Sequence, residues 1–484
     1  MNEGASPVAA PDPSSSAPAA PHKAGRIKYP PGPRGLPLLG SALAISRDPL
    51  AFLLELCLDY GPISHTWFGP YSTYAINDPE LIEELLLGRY RDCTKDKSTR
   101  DLMPLAGQGL LTSEGESWRR HRKIAAPPLQ PKRIASYAET MLDCARRACV
   151  EIGTGELRDG HADLLRLTLE VVGKTLLGVD ARAQAETIAR VVDLFMAFFE
   201  RQLYSWEGLL PLGIPTLSRW RMRKAVAELD RIILPIIARC RSEDAADDHF
   251  LARLVHARGE DGEGLSDAQL RDEAVTMLLA GYETSALALS YAVLVLSQHP
   301  AVTARLRDEL DAAFGSGAAT PAELCALPYL NAVIRETMRL YPPAYAVGRE
   351  AIEPFELGGY ALRPGDQILV CQFALHRDPR FFPQPEAFKP ERWLEPGIES
   401  LPRFAYFPFG GGPRVCIGNH FAMLEIALVL ATLVHRLEFE VDPSFALQLN
   451  PVVTLRLKGG LPLRARPRVA AGRTNEGQAH GVSG

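Results

Sequence analysis

Apolar residues recur at helical spacing along most of this chain, with polar residues filling the faces between them. The pattern predicts helices at Leu50–Tyr60, Pro79–Leu87, Glu116–Ala125, Arg133–Gly153, Asp163–Leu177, Ala183–Gln202, Leu217–Glu243, Asp247–Arg258, Asp267–Gln298, Val302–Ala313 and Tyr329–Leu340. β-formers alternate between turn residues in "GPISHTWFGPYSTYAIND" (61–78), which reads as a hairpin. Strand-like pieces return late, in "FELGGYALRPGDQILVCQF" and "VVTLRLKGGLPLRA". The Pro/Gly-rich stretch Tyr29–Gly40 cannot be helix. The expected class is mostly α with small β-sheets (α+β), the sheets lying at the two ends of the chain, with no internal repeat.

The longest pattern breaks its own rule. A capping box, Ser266 with Gln269, opens it. A continuous helix to Gln298 would span roughly 48 Å. From Ala274 to Leu296 the only formal charge is Glu283. That length suits a membrane span, but a carboxylate at mid-bilayer costs about 3 kcal/mol and the flanks look like soluble helix ends, so a buried core helix is expected. Within it, "AGYETS" (280–285) puts a glycine, an acid and an alcohol into an apolar run. Gly281 costs about 1 kcal/mol there against alanine, and the Thr284 hydroxyl can bond a carbonyl of the preceding turn. Such a site is either a groove where something small approaches or a close helix–helix contact.

A second segment, "FPFGGGPRVCIGNHFA" (407–422), sets a cysteine between a Pro/Gly loop and an apolar helix. Glycines let the backbone turn and approach closely. A helix start favours the thiolate. The loop therefore suits a thiolate presented to a metal or an electrophile.

Composition narrows the classes. The 484 residues carry 53 basic and 58 acidic side chains, a net charge of −5, so no basic excess argues for nucleic acid. None of the eight cysteines forms a C-x-x-C pair, which disfavours zinc ribbons and suggests a reducing compartment. Residues 1–28 and 467–484 read as disordered, without signal peptide or membrane anchor, leaving a folded unit at 29–466.

The motifs together resemble the cytochrome P450 family. The cysteine-loop pattern F-x-x-G-x-R-x-C-x-G is met at Phe409, Gly412, Arg414, Cys416 and Gly418. The central-helix pattern is met at Ala280, Gly281, Glu283 and Thr284, with glutamate where many members have aspartate. E-x-x-R is Glu336 and Arg339, P-E-R is Pro390, Glu391 and Arg392, and W-x-x-x-R is Trp118 and Arg122. The resemblance runs from about residue 30 to 465. It implies a P450 fold with a long helix over a haem b (iron protoporphyrin IX) whose iron is held by Cys416. Phe409, Gly410, Gly418 and Ala280 would lie against the haem, and Trp118, Arg122, Arg349 and Arg414 would hold its propionates. Glu336, Arg339 and Arg392 would form a structural triad behind the loop.

The implied activity is monooxygenation, with Thr284 and Glu283 relaying protons to bound O2. With no nucleotide-binding or iron–sulfur pattern in the chain, electrons would come from a ferredoxin or flavodoxin and an NAD(P)H-dependent reductase. They would dock on the basic cluster Arg119, Arg120, Lys123 and Arg403. The substrate space would be lined by Leu102, Met103, Leu110, Phe195, Phe198, Phe199, Leu279, Ala344, Val347 and Val453, with core packing the competing reading of the phenylalanines. A hydrophobic fatty acid, terpenoid, steroid or polyketide would fit. A cytoplasmic, monomeric bacterial enzyme of secondary metabolism is expected. A peroxide-driven haem-thiolate enzyme and a haem sensor are the rival readings.

Overall fold

The computed structural model describes residues 28–204, 207, 210, 214–242, 249–315 and 320–468. The two ends expected to be disordered lie outside the described residues, apart from Lys28, Pro467 and Arg468. Helices dominate. The central one runs Asp267–Gln298, as the pattern predicts, and its capping box is closed in both directions: Gln269 N donates to Ser266 Oγ at 3.3 Å and Ser266 N to Gln269 Oε1 at 3.0 Å. Among the described residues it is the one helix long and apolar enough to cross a membrane, and most of it is buried inside the protein. It packs chiefly on the Gly160–Val172 helix. A Cβ on Gly281 would stand 3.2 Å from Val172 Cγ2, so Gly281 serves the helix–helix contact.

Other helices depart from the pattern at their ends. The stretch 133–153 is not one helix: Pro131–Ile134 leads through a tight turn at Ala135–Tyr137 into Ala138–Ile152. The helices at Pro79–Glu83 and Gly160–Val172 each finish in a wide turn, Glu84–Gly88 and Gly173–Leu177. A helix at Asn419–Arg436 follows Cys416.

The sheets do not stay at separate ends of the chain. One five-stranded sheet runs in the order Ile63–Phe68, Tyr71–Ile76, Gln367–Val370, Val347–Ala351, Cys93–Lys95. The hairpin is antiparallel, with Ile63 opposite Ile76, but Tyr71–Ile76 pairs in parallel with Gln367–Val370. Cys93–Lys95 lies antiparallel to Val347–Ala351 and sets Lys95 opposite Arg349. A three-stranded sheet joins Leu157–Asp159, Pro462–Pro467 and Leu437–Val441. A large helical core, centred on the Asp267–Gln298 and Asn419–Arg436 helices, and a smaller one under the five-stranded sheet meet around the cysteine loop.

Candidate active site

The cysteine loop is threaded through gaps that only glycine fits. Gly412 has φ +67°, and a Cβ there would stand 2.1 Å from the Leu86 carbonyl oxygen; one on Gly411 would stand 2.2 Å from the Phe404 ring. Gly410, at φ +71°, donates to the Phe407 carbonyl at 2.9 Å, and the Cys416 amide donates to the Phe409 carbonyl at 3.0 Å. Gly418 precedes the first turn of the next helix. Cys416 is the one exposed cysteine of the eight, yet it sits deep in the protein mass, so its surface faces inward space rather than the exterior. Burial pushes its thiol up, against the pull of the Gly418 amide and the Arg122 guanidinium. Without a bound cation, desolvation outweighs the helix start and the Arg122 charge, and a cation at the sulfur would favour the thiolate.

Beside the loop stands an excess of positive charge, with Arg349 buried and Lys95, Arg122 and Arg414 half-buried. Trp118 and Arg122 share the Gly115–Ala125 helix. Arg122 Nη2 donates to the Val415 carbonyl at 2.8 Å, and Arg414 stacks 3.8 Å over the Trp118 ring while it donates to the Ser113 carbonyl at 2.9 Å. Arg349 reaches only the Gly348 carbonyl, at 2.7 Å. Lys95, which the sequence reading missed, joins them: burial first, then the Arg349 and Arg414 charges, push its ammonium down to about 7. Burial likewise pushes Arg349 down and brings Arg414 down to about 10. The acids facing this group are Glu114, which pairs with Arg414, and Asp96. A partly desolvated group with more cations than anions suits a dianionic ligand, and the two propionates of a haem fit it.

On the central helix, Leu279, Ala280, Gly281 and Thr284 keep exposed surface in a run otherwise buried from Glu273 to Leu296. Thr284 Oγ1 donates to the Ala280 carbonyl at 2.7 Å. Glu283 turns away from it. Its carboxylate lies 2.8 Å from Arg456 Nε and accepts from Thr454 Oγ1 at 3.1 Å, and Arg456 reaches on to Asp193 at 3.1 Å. Burial pushes the Glu283 carboxyl up and Arg456 and Thr454 hold it down. The two residues expected to relay protons are thus adjacent in sequence but not joined side chain to side chain.

Of the expected substrate-lining residues, Leu102, Leu110, Phe195, Phe198 and Phe199 are packed into the helical core, while Met103, Leu279, Ala344, Val347 and Val453 keep exposed surface. The triad assembles fully. Glu336 accepts from Arg339 Nε and Nη2 at 2.9 Å each, from Arg392 Nε at 3.0 Å, and from two donors the sequence did not flag, Trp393 Nε1 and the Lys389 amide, both at 2.9 Å. The basic cluster is largely neutralised. Arg120 pairs with Asp261 at 3.1 Å and Lys123 with Glu260 at 3.0 Å, while Arg119 pairs with Glu116 and Arg403 stands 3.8 Å from Glu83. Arg403 and Arg335 instead border a hollow of about 400 Å³ under the cysteine loop, lined by Met338, Phe404, Phe409 and Met423 among others.

A model of the cytochrome P450 family matches residues 30–458. The chain is 33% identical to cyclooctatin synthase of Streptomyces melanosporofaciens over 90% of its own length and 95% of that protein. It is 28% identical to pentalenene oxygenase of Streptomyces avermitilis over 90% of this chain and 97% of that one. A solved structure titled retinoic acid bound cyanobacterial CYP120A1 superposes with a TM-score of 0.80 at 28% identity, covering 92% of this chain and all of that one. The chain belongs to the cytochrome P450 family and is a monooxygenase, an oxidoreductase of the haem-thiolate kind.

Proposed function

We propose that Cys416 supplies the thiolate to a haem b whose propionates lie among Lys95, Trp118, Arg122, Arg349 and Arg414, and that the enzyme hydroxylates or epoxidises a hydrophobic, terpenoid-like molecule. The observation that carries the reading is the convergence of one inward-facing cysteine with buried and half-buried cations that Glu114 and Asp96 do not balance. When bound, the haem supplies the binding and activation of O2. The chain does the rest. Arg414 and Arg122, set by Trp118 and the Val415 carbonyl, neutralise and orient the carboxylates. Thr284, its proton committed to the Ala280 carbonyl, turns its lone pairs outward and can hold a proton-bearing water. Glu283 stores a proton when Arg456 releases it.

The substrate class is supported by relatives named for cyclooctatin, cyclooctat-9-en-7-ol and pentalenene, and by the apolar side chains of Met103, Leu279, Val347 and Val453. Electrons enter from a ferredoxin or flavodoxin with its reductase. Its acidic face is better met by Arg335 at the hollow, with Arg403 only loosely paired to Glu83 beside it, than by the closely paired Arg120 and Lys123. A monomer in a bacterial cytoplasm belongs to the same reading. The test is the CO complex of the reduced protein: a strongly red-shifted Soret band in the native enzyme, lost in Cys416→Ser. Survival of the band in that variant removes Cys416 from the role. Turnover of a cyclic terpene hydrocarbon with NADPH and a reconstituted partner tests the substrate class.

A further inference from the structure

His376 follows the short Gln372–Leu375 helix and is fully buried. It faces two systems at once. Its main-chain carbonyl accepts from Arg339 Nη1 at 2.8 Å, which makes it part of the shell around the Glu336 network. Its side chain reaches the other way: Nε2 lies 3.1 Å from the amide nitrogen of Phe407. An amide only donates, so Nε2 is the acceptor and the ring carries its proton on Nδ1. The Met338 and Arg339 carbonyls lie near the ring, Nδ1 has no hydrogen-bond partner among the described residues, and Tyr406 and Phe407 pack on the ring with centres 5.0 and 5.7 Å away. Phe407 is the first residue of the cysteine loop. Its carbonyl receives the Gly410 amide, and two residues on the Phe409 carbonyl receives the amide of Cys416.

We infer that His376 is a positioning residue for Cys416: its Nε2 ties the opening amide of the cysteine loop to the buried Glu336–Arg339 network and so fixes where the sulfur stands. The inference rests on the reading of Cys416 as the iron ligand. Burial, helped by the Arg339 and Arg377 charges, pushes the imidazole down to about 3, so the acceptor lone pair persists at every working pH. An arginine or lysine at this position could not accept the amide, and an apolar ring would leave it buried without a partner.

Two measurements test the inference. In the native holoenzyme labelled with ¹⁵N-histidine, His376 is expected as the neutral Nδ1–H tautomer, unchanged between about pH 5.5 and 8. An Nε2–H tautomer or an imidazolium overturns the inference without touching Cys416. The second compares His376→Phe, which keeps a ring against Tyr406 and Phe407 but removes the acceptor, with His376→Gln, whose Oε1 restores one. In the phenylalanine variant the red-shifted CO band should convert to the ordinary Soret position roughly tenfold faster than in the native enzyme, the scale of a buried amide left unpaired. The glutamine variant should recover most of that factor. Equal conversion rates in all three proteins, or a glutamine variant no better than the phenylalanine one, overturn the role. Should the phenylalanine variant yield no folded protein, the glutamine variant, measured against the native enzyme, and the tautomer still decide. A native enzyme with no red-shifted band overturns the reading of Cys416 and, with it, this inference.

Discussion

A threonine hydroxyl donates to one acceptor at a time, and that of Thr284 donates to the Ala280 carbonyl. What it offers the open side of the helix is therefore acceptor capacity, which suits holding a water that itself donates. Thr284→Ala should leave haem content and the CO band intact, and NADPH consumption should continue. Product per NADPH should fall and peroxide release rise, with a loss in product rate of about 10²–10³. Unchanged coupling would assign the hydroxyl to helix packing. Lys95 allows a test that needs no substrate. Its folded pKa of about 7 lies below the usual 10.5 of a lysine, so the haem-free fold bears the cost of a desolvated ammonium in full below pH 7. That cost is relieved as the pH rises from 7 toward 10.5, because the unfolded chain then binds more protons than the folded one. The melting temperature of the haem-free protein should accordingly rise between pH 7 and 9. In Lys95→Met that rise should flatten, and haem transfer to an acceptor protein should quicken. A slope preserved in the variant would show that Lys95 is not the titrating group.

At the scale of elements, the contact between the central helix and Gly160–Val172 turns on one missing methyl. Gly281→Val would drive branched carbons into Val172, whose Cγ2 is already 3.2 Å from a Cβ position. A loss of about 1–3 kcal/mol in unfolding free energy is expected, with at least half restored by adding Val172→Ala. No recovery in the double variant would place the strain elsewhere. The central helix itself was fully legible, because a capping box and a long apolar run, broken only at 280–285, are local signals. The break at Ala135–Tyr137 was not: the tight turn keeps Ile134, Tyr137 and Ala138 on the buried side, so the apolar rhythm runs through it. The strand Cys93–Lys95 was also invisible, since three residues carry no period and their partner lies beyond residue 340. The orientation of Glu283 was hidden for the same reason, as Arg456 and Thr454 belong to a hairpin near the other end of the chain. The Cys416 loop, the Glu336–Arg339–Arg392 network and the neighbouring Trp118, Arg122 and Arg414 were legible because each sits in a short motif, whereas Arg349 was reached through the resemblance alone. Trp393 and Lys95 were not, because only tertiary contact gives them a role.

Taken as a whole, the molecule is held behind the loop by one carboxylate. Glu336 accepts five hydrogen bonds with no exposed surface, two of them from Arg339 and one from Arg392. Glu336→Ala would strand two buried guanidinium groups, at a cost of about 3–5 kcal/mol. Little soluble, haem-loaded protein should be recovered, measured as haem per chain after purification. Full loading with an unaltered melting temperature would contradict the central role of this carboxylate. The five-stranded sheet has a consequence for biosynthesis. Lys95 and Arg349 stand opposite each other across a strand pair, yet 349 − 95 = 254 residues of chain separate them. At about 5–20 residues per second, a ribosome delivers the second cation roughly 13–50 s after the first. Until then the nascent chain can form its early helices but not the strand pair that sets Lys95 opposite Arg349. Closure of this sheet is thus a late, high-contact-order event, and a cofactor held on the proposed site would be captured only once nearly the whole chain had been made.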